Sequence, residues 1–205
     1  MKVMRLVAAM VVALPSLAIA QATAPAGHTM SGGDHAAHMA KGQPANGPDV
    51  GQPAPDFTIS VIGQAGAAKS VKLADFRGQT VVLAFFPRVR TSGCTTQMQS
   101  YRDKYRELFA AGNKVTLLAI STDPSEAQQA WAKDENFPMW FGSDADGTVG
   151  AMYGAYDAAA KYDKRYLYVI GPDGKVTYTA KPFRQMVETA YSELGDAVAK
   201  ARGAK

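Results

Sequence analysis

Val81-Val82-Leu83-Ala84-Phe85-Phe86-Pro87-Arg88-Val89-Arg90-Thr91-Ser92-Gly93-Cys94 is the stretch on which the fold turns. Its first six residues are a continuous apolar run, the pattern of a central strand buried on both faces of a sheet. A loop then carries a proline, two arginines and a hydroxyl to Cys94, the only cysteine in the chain. Residues 95–111 read as a helix, stopped by Gly112-Asn113. A helix N-terminus offers unpaired backbone N–H groups and a partial positive charge, and nearby guanidinium groups add full positive charge. Both favour thiolate over thiol, and the thiolate is the reactive form, so Cys94 is a candidate nucleophile. The alternative is an inert cysteine buried in a core. Its neighbours Thr91, Ser92, Gly93 and Thr95 are polar or small rather than core-forming.

On either side of this stretch, residues 56–61 and 69–73 read as short strands joined by a turn at 63–68. Residues 115–121 read as a second central strand. Asp123-Pro124-Ser125-Glu126 carries a cap and a proline at the start of a helix running towards Asn136. A short strand is expected at 138–141, and a polar turn with a short helix at 144–156. Residues 165–170 and 175–179 flank Gly171-Pro172-Asp173-Gly174, a hairpin signal. A terminal helix is expected at 183–201. Strands alternating with helices, then a hairpin and a helix, predict a three-layer α/β domain around a central mixed sheet.

The ends of the chain have a different character. Lys2 and Arg5, the apolar residues 6–19 and the small residues Ala18-Ile19-Ala20 make residues 1–20 a cleavable signal peptide. The apolar run is short for a membrane span and contains Pro15, so no stable membrane anchor is expected. The predicted location is the periplasm or the exterior. Losing Lys2 and Arg5 lowers the formal charge from +4 to +2, too balanced to imply nucleic-acid binding. Residues 21–49 are rich in Ala, Gly and Pro, and read as a flexible leader. That leader holds all three histidines, His28, His35 and His38, with Met30 and Met39 beside them. Imidazole with thioether suits copper, and imidazole alone suits zinc, while a solvated linker is the plainer reading. Residues 50–205 have the composition of one folded domain with one sizeable core. The domain itself contains no histidine and no metal motif, and nothing in it calls for a cofactor.

Pro87-x-x-x-Thr91-x-x-Cys94 after a buried strand resembles the peroxiredoxins, in particular the bacterioferritin-comigratory branch of the alkyl hydroperoxide reductase and thiol-specific antioxidant group. Further matches are residues 50–57, 73–78 and 120–123, then Asn136-Phe137-Pro138, Ser143-Asp144, Tyr153-Gly154 and residues 165–176. The resemblance covers about residues 50–200 and implies a thioredoxin-like fold and a thiol-dependent peroxidase. It makes Cys94 the peroxidatic nucleophile, with the Thr91 hydroxyl bonded to the sulfur and the incoming peroxide. Pro87 shields the pocket, and Arg165 is the distant arginine that stabilises thiolate and transition state. Arg88 and Arg90 are expected to point to solvent. The substrate is hydrogen peroxide or an organic hydroperoxide, and the protein is a monomer or a dimer.

Attack leaves Cys94 as a sulfenic acid. Many relatives in this branch carry a second cysteine five residues on to resolve it. Here that position is Gln99, so a one-cysteine cycle with an external thiol or thioredoxin-like reductant is implied. A disulfide reductase needs C-x-x-C, and the fourth position is Gln97. The competing class is non-enzymatic: an exported copper-binding or redox-sensing protein, in which the leader captures metal and Cys94 reports oxidation.

Overall fold

The computed structural model describes residues 46–203. The expected signal peptide and the leader histidines His28, His35 and His38 lie outside them. A seven-stranded mixed sheet runs in the order β2-β1-β5-β4-β3-β8-β9. Its strands are β1 (Thr58–Ile62), β2 (Lys69–Lys72), β3 (Thr80–Phe85), β4 (Val115–Ser121), β5 (Trp140–Ser143), β8 (Leu167–Ile170) and β9 (Val176–Ala180). The central strands β3, β4 and β5 are parallel, while β1 and β8 run antiparallel on their two sides. Between β5 and β8 a small separate ribbon pairs β6 (Tyr156–Asp157) with β7 (Tyr162–Asp163).

Every residue of β3 is buried, which is what its unbroken apolar run requires. Alternation along the strand divides its side chains between two cores. Val82, Ala84 and Phe86 face helices α1 (Ser92–Asp103), α2 (Tyr105–Phe109), α3 (Ser125–Asp134) and α5 (Glu188–Gly203). Val81, Leu83 and Phe85 face a thinner layer that includes Val149 of the short helix α4 (Thr148–Met152) and Leu73 of a 3-10 turn. Burying each of these Val, Leu and Phe side chains contributes about 1.5–3 kcal/mol before entropy is counted. The expected three-layer α/β architecture is present, with its layers unequal in depth.

Several boundaries move, each for a local reason. The helix expected at 95–111 begins instead at Ser92, so Cys94 lies inside its first turn, and it breaks at Lys104. Ala110 and Ala111 then adopt left-handed backbone conformations, φ 49° and 53°, in the 3-10 turn that ends this region. The terminal helix starts at Glu188, five residues later than expected, because Phe183 is buried and its N–H donates to Arg165 O at 2.7 Å. The ribbon β6–β7 has two residues per strand, too few for any periodic signal. No helix among the described residues is long and apolar enough to cross a membrane.

The packed chain begins ahead of the expected boundary at Val50. Gly47 and Pro48 are buried, and Lys181 Nζ donates to Asn46 O at 2.9 Å and to Pro48 O at 3.2 Å. This segment lies against Tyr153 and Gly154. Gly154 has φ +66°, and a Cβ on it would stand 2.4 Å from the Asn46 carbonyl carbon. Gly154→Ala should therefore destabilise the protein by about 1–3 kcal/mol, from left-handed strain and backbone collision together. A thermal melt unchanged from wild type would show that residues 46–48 do not hold this position.

One buried group sets a pH dependence. Asp163 on β7 is fully buried, and neither carboxyl oxygen has a hydrogen-bond partner. Burial pushes its carboxyl up to about 8, with the charges of Asp144 and Asp123 adding to the shift. Folding thus favours the protonated form, so this group's contribution is fully present below about pH 4 and is lost as pH rises through about 8. Asp163→Asn removes that titration. The melting temperature of the variant should gain on wild type steadily between about pH 5 and pH 9. A constant difference over that range would mean that Asp163 does not carry its proton in the folded state.

Candidate active site around Cys94

The loop that follows β3 is fastened where it leaves the sheet. Phe85 N–H donates to Tyr166 O and Phe86 N–H to Ile120 O, each at 2.9 Å, so the chain leaves the sheet at a fixed point between β4 and the approach to β8. Pro87 is half-buried and Arg88 exposed. Val89 packs its side chain against the core and donates its N–H to Asp123 Oδ2 at 2.9 Å. Arg90 has φ +60°, a left-handed conformation that costs a non-glycine residue about 1–2 kcal/mol. A hydrogen bond to a charged acceptor contributes about 1.5–3 kcal/mol, enough to offset that cost. The Arg90 guanidinium is exposed and pairs with Asp134, so both loop arginines face solvent as expected.

Thr91 is the N-cap of α1, although its side chain makes no capping bond. Its hydroxyl donates to Arg88 O at 3.0 Å, and no bond to the sulfur forms. The expected Thr91–sulfur contact is therefore replaced by one that orients the hydroxyl. With its proton committed to a carbonyl, the oxygen keeps lone pairs to accept from another O–H.

Cys94 is the third residue of α1 and is fully buried. Arg165, two residues before β8, reaches it from the far side of the sequence, with Nη2 donating to Sγ at 3.3 Å. The other guanidinium nitrogen, Nη1, donates to Gln97 Oε1. Gln97 is buried one turn beyond Cys94, and its Nε2 donates to Tyr101 OH at 2.9 Å. Arginine has only donors, so the amide oxygen must face it and the amide nitrogen must face the phenol. Tyr101 is fully buried among Phe109, Phe183 and Tyr191, and burial pushes its phenol far above the ordinary range, so it stays neutral. The result is one fixed cation against one buried sulfur.

Gly93 faces Gln185 and Arg165. A Cβ there would stand 3.1 Å from Gln185 Nε2 and 3.5 Å from Arg165 Nη2. Gln99 donates to Glu135 Oε2 at 3.0 Å. Of the residues singled out from the sequence, Cys94 and Arg165 are in direct contact and Thr91 bonds within its own loop, while the contacts of Gln97, Tyr101 and Asp123 were not foreseen. Spacing offered a signal for two of these, since residues 94, 97 and 101 share one helix face. Nothing local pointed to Asp123, which is 34 residues away from its bonding partner Val89. Among the described residues no group of three His, Cys, Asp or Glu side chains is placed to hold a metal ion.

The family model of AhpC/TSA matches residues 50–179. Peroxiredoxin Bcp of Escherichia coli is 34% identical over 141 residues, spanning 66% of this chain and 86% of that protein. The chloroplastic peroxiredoxin Q of Triticum aestivum is 33% identical over 165 residues, 80% of this chain and 69% of that one. Among solved structures, peroxidoxin BcpB of Mycobacterium tuberculosis aligns with a TM-score of 0.62 at 30% identity, covering 76% of this chain and 97% of that chain. The matched region includes the strand, the loop and the helix start that present the lone thiol, as well as the strand approach that carries Arg165. The chain belongs to the AhpC/TSA family and is a Bcp-like peroxiredoxin with a single cysteine, a thiol-dependent peroxidase.

Proposed function

We propose that this peroxidase is exported to the periplasm or secreted, and that an external thiol or a thioredoxin-like protein returns its cysteine to the reduced state. Cys94 is the nucleophile in this reading, and the 3.3 Å contact from Arg165 Nη2 to its sulfur is the observation that carries the assignment. The thiolate attacks one peroxide oxygen, an S–O bond forms and the O–O bond breaks. The other oxygen departs as hydroxide or alkoxide and takes a proton from water. Arg165 holds positive charge beside sulfur throughout, where negative charge is being redistributed. Thr91, its own proton committed to Arg88 O, accepts from the peroxide O–H and so orients the substrate. Pro87, half-buried at the start of the loop, limits water at the sulfur.

The sulfenic acid then needs a partner from outside, because the chain has no second cysteine. One external thiol condenses with it to give a mixed disulfide and water. A second thiol attacks that disulfide, releasing reduced Cys94 and the oxidised reductant. Cys94 is fully buried, so the first turn of α1 must open for a bulky thiol to reach it.

Stopped-flow mixing of reduced protein with hydrogen peroxide and with an organic hydroperoxide, followed by intact mass, tests the reading. Rapid stoichiometric oxidation at Cys94 is expected, and Cys94→Ser should abolish it. Arg165→Met should slow the reaction about ten- to a hundredfold, the loss of a hydrogen bond from a charged donor. Thr91→Val, which keeps the volume and removes the acceptor, should slow it as well. A wild-type rate no better than that of a free thiol would overturn the assignment. Deleting residues 21–45 should leave the peroxide reaction intact. Loss of that reaction on deletion would bring the leader histidines into the chemistry.

A further inference from the structure

The carboxylate of Asp123 stands at the end of a hydrogen-bonded chain that starts deep in the sheet and finishes on the reacting loop. Gln128 of α3 is fully buried, and its Nε2 donates to Gly142 O of β5 and to Ser121 Oγ, both at 3.0 Å. Ser121 Oγ donates in turn to Asp123 Oδ2 at 2.9 Å, and the Asp123 N–H returns to Ser121 Oγ at 3.3 Å. Ser143 Oγ donates to Asp123 O at 2.8 Å. The ends of β4 and β5 and the first half of α3 thereby hold one carboxylate in place. That carboxylate accepts the Val89 N–H at 2.9 Å.

We propose that Asp123 is a positioning residue for the peroxide reaction: by holding the Val89 N–H it keeps the 87–91 loop in the shape that presents Thr91 and Cys94 to the substrate. Arg90, the next residue, sits at φ +60°, a conformation that non-glycine residues leave when they are released. Thr91 follows directly, and its hydroxyl is oriented only by Arg88 O, within the same loop. Freed from Asp123, the loop can relax at Arg90 and displace the Thr91 oxygen that follows it. Asp123 does not touch the sulfur, and its action is through the loop backbone. The sulfur itself keeps its Arg165 contact from a different part of the chain. Loss of Asp123 thus separates two properties, general thiol reactivity and reactivity towards peroxide.

The inference rests on Cys94 attacking peroxide, and the two fail differently. The test compares wild type, Asp123→Ala and Asp123→Asn in their second-order reaction with hydrogen peroxide and in their alkylation by iodoacetamide. Asp123→Ala should react with peroxide about ten- to a hundredfold more slowly, the loss typical of a misplaced reacting group. Its alkylation should not fall with it. Asp123→Asn keeps an oxygen that accepts the Val89 N–H and should recover most of the peroxide rate. Equal peroxide rates in wild type and Asp123→Ala, a parallel fall in alkylation, or an Asn variant as slow as the Ala variant would each overturn the role of Asp123. A wild-type rate no faster than a free thiol would instead remove the underlying reading of the site. Should Asp123→Ala not fold, amide exchange in the wild-type protein decides: the Val89 N–H should exchange far more slowly than that of Arg90, and equal exchange at the two would overturn the proposal.

Discussion

A permanent cation has to stay beside a fully buried sulfur, and much of the surrounding chain answers that requirement. A guanidinium carries only hydrogen-bond donors, so Arg165 needs acceptors wherever it lies. Gln97 supplies one on the same helix face as Cys94, and Tyr101 fixes which way the Gln97 amide turns. The backbone of Arg165 is fastened in turn by the Phe183 N–H, and Phe183 is buried against Tyr101 and Tyr191. The aromatic core beneath α1 and the polar contact at the sulfur are therefore parts of one arrangement.

The second fixed element is the loop between β3 and α1. A left-handed Arg90 is a local cost, and the Asp123 clamp and the half-buried Val89 side chain packed on the core are interactions large enough to offset it. Strain of this kind persists where the neighbouring structure over-determines the backbone. Here it lies immediately before the helix turn that carries the thiol. The same region holds three carboxyl groups, of which Asp144 accepts the N–H groups of Val149 and Gly150 while Asp163 has no partner at all. Asp144 and Asp163 are both pushed up, first by burial, so each contributes stability that is lost as pH rises.

Gln99 of α1, where the family resemblance would place a second thiol, bonds to Glu135 at the end of α3. The polar bond ties two helices together on that side, and a cysteine there would lose it. In the proposed cycle, the opening needed to reduce Cys94 must then come from outside the chain or from fraying of the first helical turn.

How much of this was legible in the chain divides along the range of the interactions. The continuous apolar run of β3, the lone thiol after it, the hairpin at residues 171–174 and the alternation of strands with helices are local signals, and they determined the fold class and named Cys94. Pro87, Thr91 and Arg165 came from a resemblance spanning the domain, not from anything that spacing alone required. The sequence places the start of α1 three residues late, because Gly93 is a poor helix former, whereas in the fold the Thr95 N–H closes the turn on Thr91 O at 2.8 Å. The start of α5 moved for a similar reason, since Phe183 is held by the sheet and not by the helix. Asp123, Gln97 and the proton on Asp163 depend on bonds, or on their absence, across elements distant in the chain. The sequence by itself pointed to Cys94 and to the layers that bury it. Only the tertiary structure decided what holds that residue's neighbours in place, because hydrogen-bond partners and desolvation exist only once the sheet has brought distant residues together.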